Sequence, residues 1–145
     1  MRQTAFPTPQ DAENAFYEAL ERADLDAMMA VWSEDEEIVC VHPGGPRLAG
    51  HEQVRDSWRQ IFGGGGGVRL QITQLVAVQA VMVAVHSVQE NAPVAAGREA
   101  QAANVVATNV YLRTTAGWRM IVHHASHAPV QNQSMRTDAA PKMLH

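Results

Sequence analysis

Val105-Val106-Ala107-Thr108-Asn109-Val110-Tyr111-Leu112, followed by Arg113-Thr114-Thr115-Ala116-Gly117 and then Trp118 to Ala125, is the stretch whose pattern decides the fold. β-Branched and aromatic residues fill both arms, and a short turn ending in glycine joins them, so the segment reads as a hairpin. Along the first arm Asn109 and Tyr111 share one face, while Thr108, Val110 and Leu112 take the other. Upstream, Val81 to Val88 is almost continuously apolar, which predicts a strand covered on both faces. Before it, Val68, Leu70 and Ile72 alternate with Arg69, Gln71 and Thr73, and a second apolar stretch runs from Leu75 to Val78. The Pro-, Gly- and Ala-rich segment from Asn91 to Ala100 separates these strands from the hairpin.

The N-terminal half has the other period. Thr8-Pro9-Gln10-Asp11 is a helix-capping signature. Behind it Ala12, Phe16, Ala19, Leu20 and Ala23 recur at helical spacing, with Glu13, Asn14, Glu18 and Glu21 expected on the other side. Asp24 caps a second, short helix through Leu25, Met28, Met29 and Trp32. Ile38 to Val41 reads as a buried strand, ended by the rigid connection His42-Pro43-Gly44-Gly45-Pro46. A third helix follows Gly50, with Val54, Trp58, Ile61 and Phe62 on one face, and stops at Gly63 to Gly67. The order α-α-β-α-β-β-β-β lacks βαβ alternation. It predicts an α+β fold: three helices on a strongly curved, mostly antiparallel sheet, forming a cone with an internal pocket.

At 145 residues the chain has room for one domain, and 46 % hydrophobic and 18 % charged residues exclude a disordered or coiled-coil chain. Net charge is −4, and the single lysine is Lys142, so the basic footprint of a nucleic-acid binder is missing. One cysteine, Cys40, allows no internal disulfide and suits a reducing compartment. MRQTAFPTPQ carries no signal-peptide stretch, and no run is long and apolar enough to span a membrane. The expectation is a cytoplasmic protein with neither nucleic-acid nor membrane partners. From Pro129 the chain is polar and aperiodic, giving a domain over residues 1–128 and a tail over 129–145.

Residues 9 to 129 resemble the nuclear-transport-factor-2-like superfamily, specifically its SnoaL-like branch. The resemblance rests on Ala19-Leu20 to Asp24-Leu25-Asp26, on Val39-Cys40-Val41-His42-Pro43, on Gly50 opening the helix that holds Trp58, and on the hairpin ending His123-His124-Ala125-Ser126. The ending from Trp118 to Pro129 is also similar to the association domain of calcium/calmodulin-dependent kinase II, which builds oligomers and has a pocket in its cone. Families of this fold include steroid isomerases, polyketide cyclases, dehydratases, epoxide hydrolases and non-enzymatic association modules, so fold alone does not assign chemistry. The steroid isomerases' reactive positions are not kept. Their general-base position holds His42, their oxyanion-holding tyrosine falls on Phe16, and no second acid matches, so steroid isomerisation is not expected.

His42 is the first candidate for catalysis: it ends a strand at the expected pocket wall and titrates near neutral pH. The other role open to it is capping the Pro-Gly turn. His123 and His124 must face opposite sides of their strand; His124 shares a face with Trp118 and matches a histidine of the kinase association domain, so His124 is expected inside. Asn109, where that domain holds a pocket arginine, and Tyr111 are expected to line the pocket with Trp58, whose other reading is plain core packing. Asn109 lacks the charge to hold a carboxylate tightly. Glu90 is either a buried acid paired with an arginine or an exposed strand end. A zinc site at His124 and His127 lacks a suitably spaced carboxylate pair, Gly63 to Gly67 lacks the Lys-Ser/Thr of a phosphate loop, and Cys40 has no activating base.

These readings imply a small, largely apolar ligand, no cofactor and no metal. Proton transfer of the cyclase, isomerase or dehydratase type would use His42, with His124 and Asn109 orienting a carbonyl or hydroxyl. A non-catalytic binding or association module is the alternative. Val106, Val110 and Leu112 supply an apolar outer sheet face, which predicts a homodimer.

Overall fold

Local chemistry starts and stops the helices. In the computed structural model, which describes residues 5–35, 37–92 and 104–129, α1 spans Pro9–Arg22. Thr8 Oγ1 accepts the Asp11 N–H at 3.0 Å, and Pro9 occupies the first helical position, where no N–H is needed. Ala23 ends α1 in the left-handed region (φ 54°). Asp24 then caps α2 (Leu25–Val31) by accepting the Ala27 N–H at 3.0 Å, so the two helices meet without a loop. α3 (His51–Gly63) follows Gly50, whose φ of 88° favours glycine. Gly67 lies against the end of α1, where a Cβ would run into the Glu21 carbonyl, and Val68 N–H donates to the Leu20 carbonyl at 3.0 Å. The glycine run therefore fastens the third helix's exit to the first helix.

The strands are β1 (Val39–Val41), β2 (Arg47–Ala49), β3 (Gln71–Gln79), β4 (Val83–Asn91), β5 (Asn104–Thr114) and β6 (Gly117–His127). They form one sheet in the order β2-β1-β6-β5-β4-β3. All neighbours are antiparallel except β1 and β6. Three helices on a curved, mostly antiparallel sheet is the architecture expected from the change of period. β2 was not expected: the Pro-Gly connection is tight enough to return the chain beside β1, pairing Cys40 with Leu48. The proposed tail, apart from Pro129, and most of the Asn91–Ala100 connector lie outside the described residues.

Phe16 is at the centre of the helix–sheet core, edge-on to Trp58 at 5.6 Å and Trp32 at 6.4 Å between ring centroids. Met28, Ile38, Val54, Tyr111 and Met120 close around these rings with no exposure. The opposite side of the sheet is open. Val83 and Val85 are 38 % and 37 % exposed, and Leu75, Val76, Val78, Val81 and Met82 more so. β4 is thus covered on one face, against the expectation of two, because the helices pack on a single side.

Two bulges bend the sheet, one in β3 between Gln74 and Val76 and one in β6. In β6, Val122 pairs with Val110 but Met120 pairs with Tyr111, leaving Ile121 without a partner. The extra residue shifts the alternation by one, so Trp118 and Met120 are buried and, past the bulge, so are His123 and Ala125.

Candidate functional site

A row of polar side chains crosses the inner face of the sheet, where a core is ordinarily apolar. His86 on β4, Asn109 on β5 and His123 on β6 stand directly opposite one another. Direct partners share a face, and all three are buried, Asn109 completely. α1 lies over this row. Its buried stripe runs Pro9, Ala12, Glu13, Phe16, Ala19 and Leu20, the helical spacing of a core-facing side. Glu13 is therefore inside, 2 % exposed, and not on the outer side expected for it. Its Oε2 accepts from Tyr111 O–H at 3.0 Å, His86 Nδ1 at 3.1 Å and Asn109 Nδ2 at 3.2 Å, and its Oε1 from Gln74 Nε2 at 3.1 Å.

The network continues toward the second acid. Asn109 Nδ2 also donates to Tyr17 Oη at 3.1 Å, and the Tyr17 O–H donates to Glu90 Oε2 at 2.6 Å. The Asn109 carbonyl oxygen lies 2.6 Å from His123 Nδ1, and His123 Nε2 is 4.0 Å from Glu90 Oε2. Burial pushes Glu90 above the usual carboxylate range; the Tyr17 hydrogen bond opposes this, and the Glu13 charge adds to it. Burial and then the Glu90 charge raise Tyr17, which stays a neutral donor. His123 is lowered to about 3 by burial and by the positive charges of His42 and His124, so its ring is neutral.

A cleft of about 410 Å³ opens between α1 and β3, lined by Glu13, Tyr17, Gln74, Glu18, Leu70 and Ile72 among others. Glu13, Tyr17 and Gln74 belong to both cleft and network, so a molecule in the cleft meets the outermost hydrogen-bonding groups of the buried row. The cleft offers the Tyr17 phenol, with the Glu90 carboxyl bonded behind it, the acidic side chains of Glu13, Glu18 and Glu21, and apolar contact from Leu70 and Ile72. That set suits acid–base chemistry on an oxygen function attached to an apolar body.

His42 occupies another wall. Its Nε2 is 3.0 Å from Ser57 Oγ, and the Ser57 hydroxyl donates to the Val54 carbonyl at 2.8 Å, so the histidine is the donor of the first pair. Burial lowers its pKa and keeps it neutral. Its ring stands edge-on to Trp58 at 4.7 Å, and Trp58 is 6.3 Å from the His123 ring. Neither His42 nor Trp58 lines the α1–β3 cleft. Cys40, with Sγ 3.7 Å from His42 Nε2, is pushed up to about 12 by burial and the Glu90 charge, so the thiol is no nucleophile at neutral pH.

The structure therefore brings Asn109 and Tyr111 into the network, places Trp58 in the aromatic core and leaves His42 beside it. His124 is a correction: it is exposed on the outer face, and His123 takes the inner place, because counting back to Trp118 misses the residue inserted at Ile121. Glu90 is a buried acid, but its partner is Tyr17 and not an arginine. Glu13, Tyr17 and Gln74 were missed. The stripe spacing of Pro9, Ala12, Phe16, Ala19 and Leu20 contained the signal for Glu13; nothing local marks Gln74, whose role depends on the fold. Among the described residues no three His, Cys, Asp or Glu side chains are placed to hold a metal ion. No helix among them is long and apolar enough to cross a membrane.

A helix-covered, curved sheet with a polar row at its inner face and a cleft at its side defines an α+β cone of the nuclear-transport-factor-2-like type. Within that class the chain belongs to the SnoaL-like domain family, whose model matches residues 10–131. It is similar to a candidate calcium/calmodulin-dependent protein kinase type II association domain from Thiobacillus denitrificans, 39 % identical over 87 % of this chain and 99 % of that one, with a TM-score of 0.78. It is also similar to a candidate dehydratase of the nuclear-transport-factor-2-like family from Streptomyces avermitilis, 29 % identical over 81 % of this chain and 91 % of that one, with a TM-score of 0.70. A ketosteroid isomerase-like protein from Erwinia carotovora atroseptica, 18 % identical over 83 % of this chain and 94 % of that one, shares the fold at a TM-score of 0.67. No curated protein matches the chain.

Proposed function

We propose that this is a cytoplasmic protein that binds a small, uncharged, largely apolar molecule at the α1–β3 cleft. It moves a proton on that molecule without a cofactor, in the dehydratase, isomerase or cyclase class. The observation that carries this reading is the Tyr17–Glu90 hydrogen bond of 2.6 Å, which links a phenol lining the cleft to a buried carboxyl whose burial favours its acid form. On binding, the Tyr17 hydroxyl turns its one hydrogen from Glu90 to the ligand's oxygen. Glu90, which lies behind Tyr17 and outside the cleft lining, gives or takes the proton through that hydroxyl. His42, Trp58 and Tyr111 lie outside the lining of this cleft, so in this reading they support the interior behind it and His42→Ala serves as the comparison variant. The dehydratase named for the Streptomyces relative supports the class. The acidic side chains of Glu13, Glu18 and Glu21 in the cleft lining disfavour a carboxylate ligand.

The test is a thermal-shift screen with small ketones, lactones and hydroxylated aromatics against the wild type, Tyr17→Phe, Glu90→Gln and His42→Ala. A compound present at a hundred times its dissociation constant stabilises the wild type by about 2.7 kcal/mol. That stabilisation should shrink in Tyr17→Phe and Glu90→Gln. A compound that stabilises all four proteins equally would take the reading away from this cleft.

A second reading has its own observation. The 39 % identical relative is named as an association domain, and the outer sheet face here exposes Val83, Val85 and Val106. On this reading two copies pair through that face, and the interior site serves ligand-dependent assembly instead of turnover.

A further inference from the structure

The direction of the Asn109 and His123 hydrogen bonds follows from a group that has no hydrogen to give. A carboxylate only accepts, so the Asn109 atom 3.2 Å from Glu13 Oε2 is the amide nitrogen, and the Asn109 oxygen is turned to His123 Nδ1 at 2.6 Å. That oxygen also only accepts, so Nδ1 carries the hydrogen. Both amide hydrogens of Asn109 are engaged, one on Glu13 and one on Tyr17 at 3.1 Å, so the amide cannot flip without losing both contacts. A neutral imidazole has one N–H. His123 Nε2 is therefore bare, and it is the ring atom 4.0 Å from Glu90 Oε2.

We infer that His123 is a positioning residue of the acid–base site: its bare Nε2, fixed by the Asn109 amide, favours the protonated form of Glu90. In the acid form the Glu90 hydrogen is accepted by Nε2, directly after a small shift or through one water across the 4.0 Å gap. In the ionised form a carboxylate oxygen faces a lone pair with no hydrogen between them. The pH at which Glu90 releases its proton rises accordingly, toward the range where it can both give and take one. The remaining titratable groups around the pair are Tyr17 and Glu13 from α1, Cys40 and His42 from the β1 side, His86 on β4 and His124 beside His123. Tyr17 opposes the effect through its hydrogen bond and Glu13 reinforces it through its charge. Phe16 closes the ring from above at 4.8 Å between centroids.

This inference rests on Glu90 being the proton-transfer group, but its test needs no ligand. In the full chain with labelled histidine and glutamate, nitrogen-15 spectra read the His123 tautomer and the carbon-13 shift of the Glu90 carboxyl follows its titration. The expected wild-type result is an Nδ1–H, bare-Nε2 ring throughout pH 5 to 8, as for a histidine with a strongly lowered pKa. His123→Gln turns an amide hydrogen toward Glu90, and the Glu90 midpoint should fall by about one pH unit. A protonated Nε2 in the wild type overturns the inference whether or not any variant folds. So does a folded His123→Gln with an unmoved Glu90 midpoint, the result that a merely structural histidine would give. If tautomer and midpoint behave as expected while no ligand distinguishes Glu90→Gln from wild type, the inference stands and the proposed function fails.

Discussion

The two faces of the sheet are built against the usual rule, in opposite senses. The inner face, which should be apolar, carries His86, Asn109 and His123 in one row under Glu13 and Tyr17. The outer face, which should be polar, pairs Val85 with Val110 and Val110 with Val122, and Val83 with Leu112. Buried polar groups cost several kcal/mol unless each is partnered, and open apolar surface favours association. Neither departure helps a lone chain fold, and the proposed ligand inside and second copy outside would each give one of them a use. The inner departure is answered within the chain by hydrogen bonds. The outer one is not, since Val83 and Val85 remain more than a third exposed.

The largest effect should come from removing the acceptor on which the inner face is organised. Glu13→Leu leaves Tyr111, His86, Asn109 and Gln74 without their shared partner, and should cost about 3 kcal/mol or more in urea unfolding. Glu13→Gln keeps one acceptor oxygen and should cost less. A Glu13→Leu protein within 1 kcal/mol or so of wild type would show that the polar row is incidental to folding. The outer face is tested next by Val85→Arg, which places a charge at the centre of the apolar patch. Sedimentation should show a wild-type dimer converted to monomer, with the stability of the single chain changed by only about 0.5 kcal/mol. A monomeric wild type would remove the reason for the outer face.

Acid should act on the inner face alone. His123 has a folded pKa of about 3, below the ordinary histidine value of roughly 6.5. Below that ordinary value the unfolded chain binds a proton that the folded chain refuses, so stability declines as pH falls from about 6.5 toward 3. Glu90 has the opposite sign. Its folded pKa is raised, so its contribution is complete at low pH and is lost as pH rises through the folded value. Chemical denaturation of wild type and His123→Gln across this range should show a shallower acid decline in the variant. Equal slopes would mean that another group, with His42 the first to examine, carries the acid sensitivity.

The fold was legible because its signals are local: a Thr-Pro cap, an Asp cap, a change of period at Val68 and a Gly-ended hairpin turn. β2 was not, since three residues beside a Pro-Gly turn carry no periodicity of their own. The site was legible only in part. Asn109 and Tyr111 follow from strand alternation with no break between them. His123 does not, because a bulge at Ile121 leaves no mark in composition yet inverts every assignment that counts across it. Glu13 was hidden by a prior, that charged residues on an amphipathic helix face water, although its spacing put it in the buried stripe. Tyr17 and Glu90 sit 73 positions apart and meet only through the fold.

The smallest effect is also the sharpest comparison, between two adjacent histidines. His124 pairs across the sheet with Thr108 on the outer face, and its side chain is exposed and makes no side-chain hydrogen bond among the described residues. His123, one position away, is 3 % exposed and bonded to Asn109 at 2.6 Å. His124→Ala should therefore change the unfolding free energy by less than about 0.5 kcal/mol, and it should leave the Glu90 titration close to wild type, since its charge acts on His123 only after burial and His42 have done so. His123→Ala opens a space in the core and leaves the Asn109 oxygen unpartnered, at a cost of about 2 kcal/mol or more. If the two substitutions cost the same, the bulge does not turn β6 as described, and the inner row would lose its third member to the histidine that simple alternation selects.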